Sequence, residues 1–401
     1  MTARRTRIRD GSPSEVILGE DTLRIPADTG LLEDRDLLPG IRLLASHAKL
    51  QPGERVLVAP CGGGLLTAWA AKVAASGESR IRVTGMDTNL LATNATHALL
   101  AANAVSDATV RVGLPDRSEH SFDVFLMPLP KGRDLARMWL LHGALATRPG
   151  GRIIIAGPNS GGIQSFARDA ALLLGEGVLG AYKAGSRVFE FHLGARPSED
   201  LPDLFCSPGL RSGSYRTYSI RFAGRDLTVC TRPGVFSRDG LDEGTRCLID
   251  ALSVLPDDDV LDLGCGAGVI GMASAIMAPS AQITLVDVDA LAIECAAETL
   301  RRNGIDRAKV LLSDGYSATR GRRYSLILTN PPFHAGHGVS LLQTERFIGE
   351  AHERLLPGGR LVLVANRFLP YASLLQQVYG SVEVLASTSK FCVYSATRVQ
   401  A

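Results

Sequence analysis

Val260-Leu261-Asp262-Leu263-Gly264-Cys265-Gly266-Ala267-Gly268-Val269-Ile270-Gly271 is the stretch whose reading decides the fold. A short apolar run meets glycines at 264, 266 and 268, and an apolar helical pattern starts near Val269. Strand, glycine turn and helix in that order open a βαβ unit, since glycines let the backbone turn sharply and approach a ligand before the helix begins. Working outward, residues 282–286 read as a strand ending at Asp287, and 290–303 as a helix. Residues 310–312 lead to Ser313-Asp314, and 326–329 lead to Asn330-Pro331-Pro332-Phe333. A helix over 347–355 and the turn Pro357-Gly358-Gly359 precede a strand at 360–365. Alternating strands and helices imply the α/β class, with a mainly parallel, doubly wound sheet and ligands at the carboxyl ends of its strands.

The same order occurs once before. A strand at 55–59 runs into Pro60-Cys61-Gly62-Gly63-Gly64, followed by a helix over 65–75 and a strand at 81–86 ending at Asp87. A helix over 90–102, a strand at 122–127, Pro128-Leu129-Pro130-Lys131, a helix over 134–146 and a strand at 152–156 complete it. Cys61 and Cys265 lie 204 positions apart, Asp87 and Asp287 200, Pro130 and Pro332 202, Gly150 and Gly358 208. So constant an offset implies two tandem copies of one fold, and the period is far too long for a solenoid. The copies differ at the strand ends: Val58 stands for Asp262, Pro60 for Gly264, Pro128 for Asn330 and Lys131 for Phe333. The first copy is therefore expected to scaffold or bind, with the active site in the second alone. Expected boundaries are a degenerate domain over 1–195, a linker with a small irregular or β segment over 196–233, and a catalytic domain over 234–401. Residues 1–40 give no strong period.

Composition narrows the classes. At 401 residues with 45% apolar content, the chain has material for two cores and is not globally disordered. A formal charge of +2 does not by itself call for a polyanion. Seven scattered Cys without a CxxC pair point to a reducing compartment, and His334 and His337 have no further partner at metal-ligand spacing. Arg4, Arg5, Arg7 and Arg9 are followed by no apolar core, and no stretch is long and apolar enough to span a bilayer. The expectation is a cytoplasmic protein with no metal and no membrane partner.

Two cofactor classes use such a glycine turn. Residues 266–271 satisfy G-x-G-x-x-G, the dinucleotide fingerprint. The wider Asp262-Leu263-Gly264-Cys265-Gly266-Ala267-Gly268 resembles motif I of class I methyltransferases that use S-adenosylmethionine. A carboxylate at Asp262 suits the cationic amino acid end of that cofactor and is badly placed beside a pyrophosphate. Asp287 suits ribose hydroxyls in either class. Asp314 is either an acceptor for the adenine amine or a turn aspartate. Asn-Pro-Pro-aromatic after the fourth strand, together with motif I, resembles methyltransferases acting on planar amino or amide nitrogens. Two prolines make a stiff turn. It fixes two acceptors, the Asn330 oxygen and the Pro331 carbonyl, for one NH2 group, and Phe333 offers a flat face for stacking.

Gly234-Val235-Phe236-Ser237-Arg238-Asp239-Gly240-Leu241-Asp242 lies before motif I. Asn330-Pro331-Pro332-Phe333-His334, Val364-Ala365-Asn366-Arg367 and Ser389-Lys390-Phe391 lie after it. This set resembles the bacterial ribosomal RNA guanine-N2 methyltransferases, small-subunit type more than large-subunit type. Their fold is two tandem Rossmann-like class I methyltransferase domains, the N-terminal one degenerate. The resemblance implies S-adenosylmethionine as cofactor, held by Asp262, Gly264, Cys265, Gly266, Gly268, Asp287, Val288 and Asp314. It implies catalysis through Asn330 and Pro331 with Phe333 on the guanine, and ribosomal RNA or a ribosomal subunit as partner; the sequence does not set the oligomeric state, and a monomer is favoured. Phe236 is either a pocket wall or a core residue. Lys131, Arg133 and Arg137 are either phosphate contacts or a solvated helix face. The rival readings are a large-subunit enzyme, a protein glutamine-amide methyltransferase, a dehydrogenase and a non-enzymatic RNA-binding protein.

Overall fold

A computed structural model describes residues 14–26, 36–75, 81–116, 122–198, 200–331 and 338–399. The chain divides into two compact units, Met1–Gly213 and Ser214–Ala401. In the first, a hairpin of β1 (Ser14–Leu18) and β2 (Asp21–Ile25) precedes α1 (Leu38–His47), β3 (Arg55–Val58), α2 (Leu65–Ala75), β4 (Arg82–Asp87), α3 (Leu90–Ala102) and β5 (Ala108–Val112). Then come β6 (Phe122–Pro128), α4 (Arg133–Ala146), β7 (Thr147–Pro158), α5 (Ile163–Leu174), β8 (Gly177–Lys183) and β9 (Ser186–His192). The second unit opens with a hairpin of β10 (Arg216–Phe222) and β11 (Arg225–Thr231), then α6 (Glu243–Ala251), β12 (Asp259–Leu263), α7 (Val269–Met277), β13 (Gln282–Asp287), α8 (Ala290–Arg302) and β14 (Lys309–Leu312). It closes with β15 (Tyr324–Thr329), α9 (Gly338–Arg354), β16 (Leu355–Asn366), α10 (Tyr371–Tyr379), β17 (Glu383–Ser387) and β18 (Phe391–Thr397).

Each unit has one seven-stranded sheet, ordered β5-β4-β3-β6-β7-β9-β8 in the first and β14-β13-β12-β15-β16-β18-β17 in the second. In each sheet six strands share one direction and a single strand, β9 or β18, runs antiparallel between its two neighbours, so the class is α/β with mixed sheets and the order reverses beside β3 and β12. The duplication reaches further than the strand cores. In the first unit Asn103, at the end of α3, clamps the backbone of Arg24, accepting from its N–H (2.9 Å) and donating to its carbonyl (2.8 Å). In the second, Asn303 does the same to Thr228 (3.1 and 2.7 Å). Each hairpin is thus fastened to the helix that follows the second strand of its own sheet. Half of the 196–233 stretch belongs to the second copy's opening hairpin.

Burial explains the helices. Val269 to Ala275 of α7 are all buried, as are Leu65 to Ala71 of α2, so both are apolar all round and packed on the sheet. A Cβ at Gly271 would sit 2.5 Å from the Leu285 side chain on β13, so glycine permits this close approach. In the first unit, buried Asp169 on α5 is bonded by Arg133 (2.6 Å) and Arg137 (2.8 Å) of α4. Burial opposes ionisation of Asp169, but the bonds from Arg133 and then Arg137 outweigh it and hold the carboxyl below its ordinary value. These two arginines therefore join α4 to α5, Arg137 largely buried and Arg133 with its side chain 48% exposed. Lys131 pairs with Asp36 at 3.7 Å on the surface. Among the described residues no helix is long and apolar enough to cross a membrane, and no His, Cys, Asp and Glu group could hold a metal.

Candidate active site

Strand register assembles the site. β12 pairs with β15 so that Leu263 faces Thr329, and with β13 so that Leu263 faces Val286. The next residues on the three parallel strands, Gly264, Asn330 and Asp287, therefore lie side by side at the carboxyl edge, on strands about 4.8 Å apart. The Thr329 hydroxyl donates to the Leu263 carbonyl at 2.8 Å and ties two of these ends together.

The glycine turn is built around Asp287. Its Oδ2 accepts from Gly266 N–H (2.8 Å) and its Oδ1 from Asp289 N–H (3.0 Å). Burial pushes this carboxyl up, and those backbone donors oppose the shift. Gly264 has φ +74, and a Cβ placed on it would meet nothing within 4 Å. Beside it, the nearest atom to a Cβ on Gly266 is the Phe236 Cβ at 4.0 Å. Phe236 is 58% exposed, so it is not a core residue and stands as a wall beside open space over the turn. Gly268 does another job: with φ +81, a Cβ there would lie 3.0 Å from the Ala296 backbone, so the turn is pressed onto α8.

Asp262 is fully buried. Its Oδ2 accepts from Gly271 N–H at 2.8 Å, while Oδ1 has no hydrogen-bond partner. Burial pushes the carboxyl up to about 7, the nearby Asp287 charge adds to this, and the Gly271 bond opposes it. The neighbouring Cys265 thiol is buried and driven well above its ordinary value by burial and then by the charges of Asp287 and Asp262, which makes it an inert packing group. Val288 is half-buried after Asp287, and Asp314 is half-buried beyond β14 with its backbone in a turn closed by Ser317.

Asn330 is held by residues to which the sequence reading gave no role. Its Nδ2 donates to Asp242 Oδ2 (3.1 Å) and to Thr245 Oγ1 (2.8 Å), which turns the amide oxygen away from both. Asp242 is the N-cap of α6, where the same Oδ2 accepts from Thr245 N–H at 2.9 Å. The signal was present as an Asp three residues before a Thr at a helix start. Pro331 is buried. Pro332, Phe333, His334 and His337 lie outside the described residues.

The first unit keeps the architecture of this edge without its polar groups. Asp87 bonds Gly62 N–H and Asn89 N–H, both at 3.0 Å, in the pattern of Asp287. The positions of Asp262 and Asn330 carry Val58 and Pro128.

The sequence matches the family described as Methyltransferase small domain over residues 226–395, and Methyltransferase small domain N-terminal over residues 71–174. The protein named Ribosomal RNA small subunit methyltransferase C of Pseudomonas aeruginosa (strain LESB58) is 37% identical over 270 residues, 67% of this chain and 77% of the relative. Its namesake from Serratia proteamaculans (strain 568) is 36% identical over 282 residues, 70% of this chain and 76% of the relative. A solved structure of the T. thermophilus 16S rRNA N2 G1207 methyltransferase (RsmC), in complex with AdoMet and guanosine, aligns with a TM-score of 0.75 at 29% identity, covering 97% of this chain and 98% of that one. Identity at this level over more than one unit's length makes the chain a member of the ribosomal RNA small subunit methyltransferase C family.

Proposed function

We propose that the protein transfers a methyl group from S-adenosylmethionine to the exocyclic N2 of a guanine in small-subunit (16S) ribosomal RNA. The observation that carries this reading is the orientation of Asn330, whose amide NH2 is bound to Asp242 and Thr245 so that its oxygen is left for a donor in the cleft. The named relatives supply the substrate class.

The second unit fits the cofactor. The orphaned Oδ1 of Asp262 suits a cationic amine, the open space over Gly264 suits close backbone approach, and Asp287 has spare lone pairs for ribose hydroxyls. Val288 and Asp314 would border the adenine, and Phe236 would close one side. When bound, S-adenosylmethionine supplies an electrophilic methyl group on a sulfonium. The chain's own residues do the remaining work. The guanine N2 lone pair is delocalised into the ring, so it is a poor nucleophile. The Asn330 oxygen and the Pro331 carbonyl accept its two N–H bonds and stabilise the positive charge that develops as nitrogen is alkylated. Their fixed placement beside the glycine turn contributes through orientation, an effect worth up to about 7–11 kcal/mol in well-aligned reactions. The nitrogen proton becomes acidic only after the bond has formed, so no strong base is needed beforehand. Phe333 would stack on the base. The first unit, lacking counterparts of Asp262 and Asn330, is assigned to RNA recognition and support, and a ribosomal substrate implies the cytoplasm.

The test is methyl transfer from labelled S-adenosylmethionine to unmodified small- and large-subunit particles, with nucleoside analysis. N2-methylguanosine from the small subunit, lost by about 10²–10³-fold or more in Asn330→Ala with cofactor affinity retained, is the expected result. Label in a protein fraction alone would move the assignment to a glutamine amide.

A further inference from the structure

We propose that Asp242 is a positioning residue for methyl transfer: with the Thr245 hydroxyl, it locks the Asn330 amide with its oxygen toward the substrate amine. The inference deepens the function above and rests on it. The two ends of an amide, O and NH2, are nearly equal in size, so packing cannot choose between them, whereas hydrogen-bond partners can. An ionised carboxylate only accepts, so Asp242 Oδ2 at 3.1 Å from Nδ2 dictates that the NH2 end faces it. Thr245 would be ambivalent alone, because a hydroxyl gives or takes. Its O–H lies 3.4 Å from the same Asp242 Oδ2, which draws the proton that way and leaves a lone pair for Asn330 Nδ2 at 2.8 Å. The carboxylate thus sets both contacts.

The arrangement also has an electrostatic consequence. A negative charge behind the NH2 polarises the amide and enriches its oxygen, the atom facing the nitrogen that becomes cationic. Asp242 is anchored for this by its other task, since Thr245 N–H caps onto it at 2.9 Å and fixes the carboxylate on the first turn of α6. The Tyr218 phenol, whose oxygen is buried, is pushed up to about 12, by burial first and by the Asp242 charge second. A flipped Asn330 would present N–H groups to the substrate amine and leave the chemistry with one acceptor in place of two.

The capping role and the orienting role make different predictions for two substitutions. Asn is as good an N-cap as Asp and keeps its shape, while Ser caps but is smaller. In Asp242→Asn the oxygen that caps Thr245 N–H stands where Oδ2 does and still accepts from Asn330 Nδ2, whereas in Asp242→Ser the shorter side chain caps but does not reach Asn330. The full-length variants are compared by melting temperature, S-adenosylmethionine affinity by calorimetry and single-turnover methylation of unmodified small-subunit particles. The expected result is unchanged melting and affinity, with a rate order of wild type, Asp242→Asn, Asp242→Ser and a loss of about 10²–10³-fold in the last. In the Asn330→Ala background Asp242→Ser should cause no further loss, because the group that Asp242 positions is gone. Asp242→Ser within threefold of a working wild type, Asp242→Ser faster than Asp242→Asn, or losses that multiply in the double variant would each overturn the inference alone. A wild type that methylates no guanine would overturn the assigned function, and this inference with it.

Discussion

Replacing Asp262 by Asn should make the cofactor-free protein more stable above neutral pH, by an amount that the burial of this one carboxyl sets. In the native state the group holds its proton up to about pH 7, against 3.8 for an unperturbed aspartate. Between those values the native chain binds more protons at this site than the unfolded chain, so stability falls as pH rises. The loss is about 1.4 kcal/mol per pH unit and levels off above pH 7 at about 4 kcal/mol. Asn cannot ionise, yet its oxygen can take the Gly271 N–H and its NH2 can occupy the place of the orphaned Oδ1. The stability difference between variant and wild type should therefore be small near pH 4, grow with pH and flatten above 7. Urea unfolding in buffers from pH 4 to 8.5 measures it. Both tryptophans, Trp69 and Trp139, lie in the first unit, so far-ultraviolet circular dichroism is the better signal for the second. S-adenosylmethionine binding should move the opposite way, weakening in the variant because the carboxyl proposed to meet its ammonium group is gone. Parallel pH curves for the two proteins would refute the reasoning, since a carboxyl titrating identically in both states cannot produce the divergence.

Two further outcomes test the walls of the site. Phe236→Ala should change stability by no more than about 0.5 kcal/mol, as an exposed side chain does, yet weaken S-adenosylmethionine measurably in a calorimetric titration; unchanged affinity would remove Phe236 from the pocket. Gly264→Ala and Gly268→Ala share a positive φ, which costs about 1–2 kcal/mol for an L residue, but only the second adds a clash at Ala296. Denaturant midpoints should show Gly268→Ala the less stable by about 1–3 kcal/mol, and Gly264→Ala folded but poor in cofactor binding; equal midpoints would contradict this division of labour.

Much of the second unit was readable because its strands carry short apolar runs and its turns carry glycine. β12, β13 and β15 appear within a residue or two of the expected bounds, since a buried parallel strand reads as a continuous hydrophobic run. Several of the elements missed are half-buried or short, although the buried β18 was missed as well. β1 and β2 bury only Val16, Leu18, Leu23 and Ile25 in alternation, too short a pattern to stand out from residues 1–40. Strand β17 is mostly exposed and carries no such run. Glycine placement and the strand-end carboxylates of the site follow from local pattern. The Asp242–Asn330 bond does not, because its partners are 88 positions apart and meet only when α6 packs on β16 and β18, next to the end of β15. The same holds for Arg133 and Arg137, whose partner Asp169 sits on another helix.

The matching bonds of Asp87 and Asp287 carry a consequence for how the reactive edge evolved its parts. A carboxylate kept in the copy without counterparts of Asp262 and Asn330 is an architectural component first, committed to holding a glycine turn open. In the second unit the same atoms are the ones proposed to meet a ribose, and whatever they would offer it comes from lone pairs the turn leaves over. Loop shape and cofactor grip are then one degree of freedom, so a change that relaxes the turn will register as lost affinity even where no ligand contact has been touched.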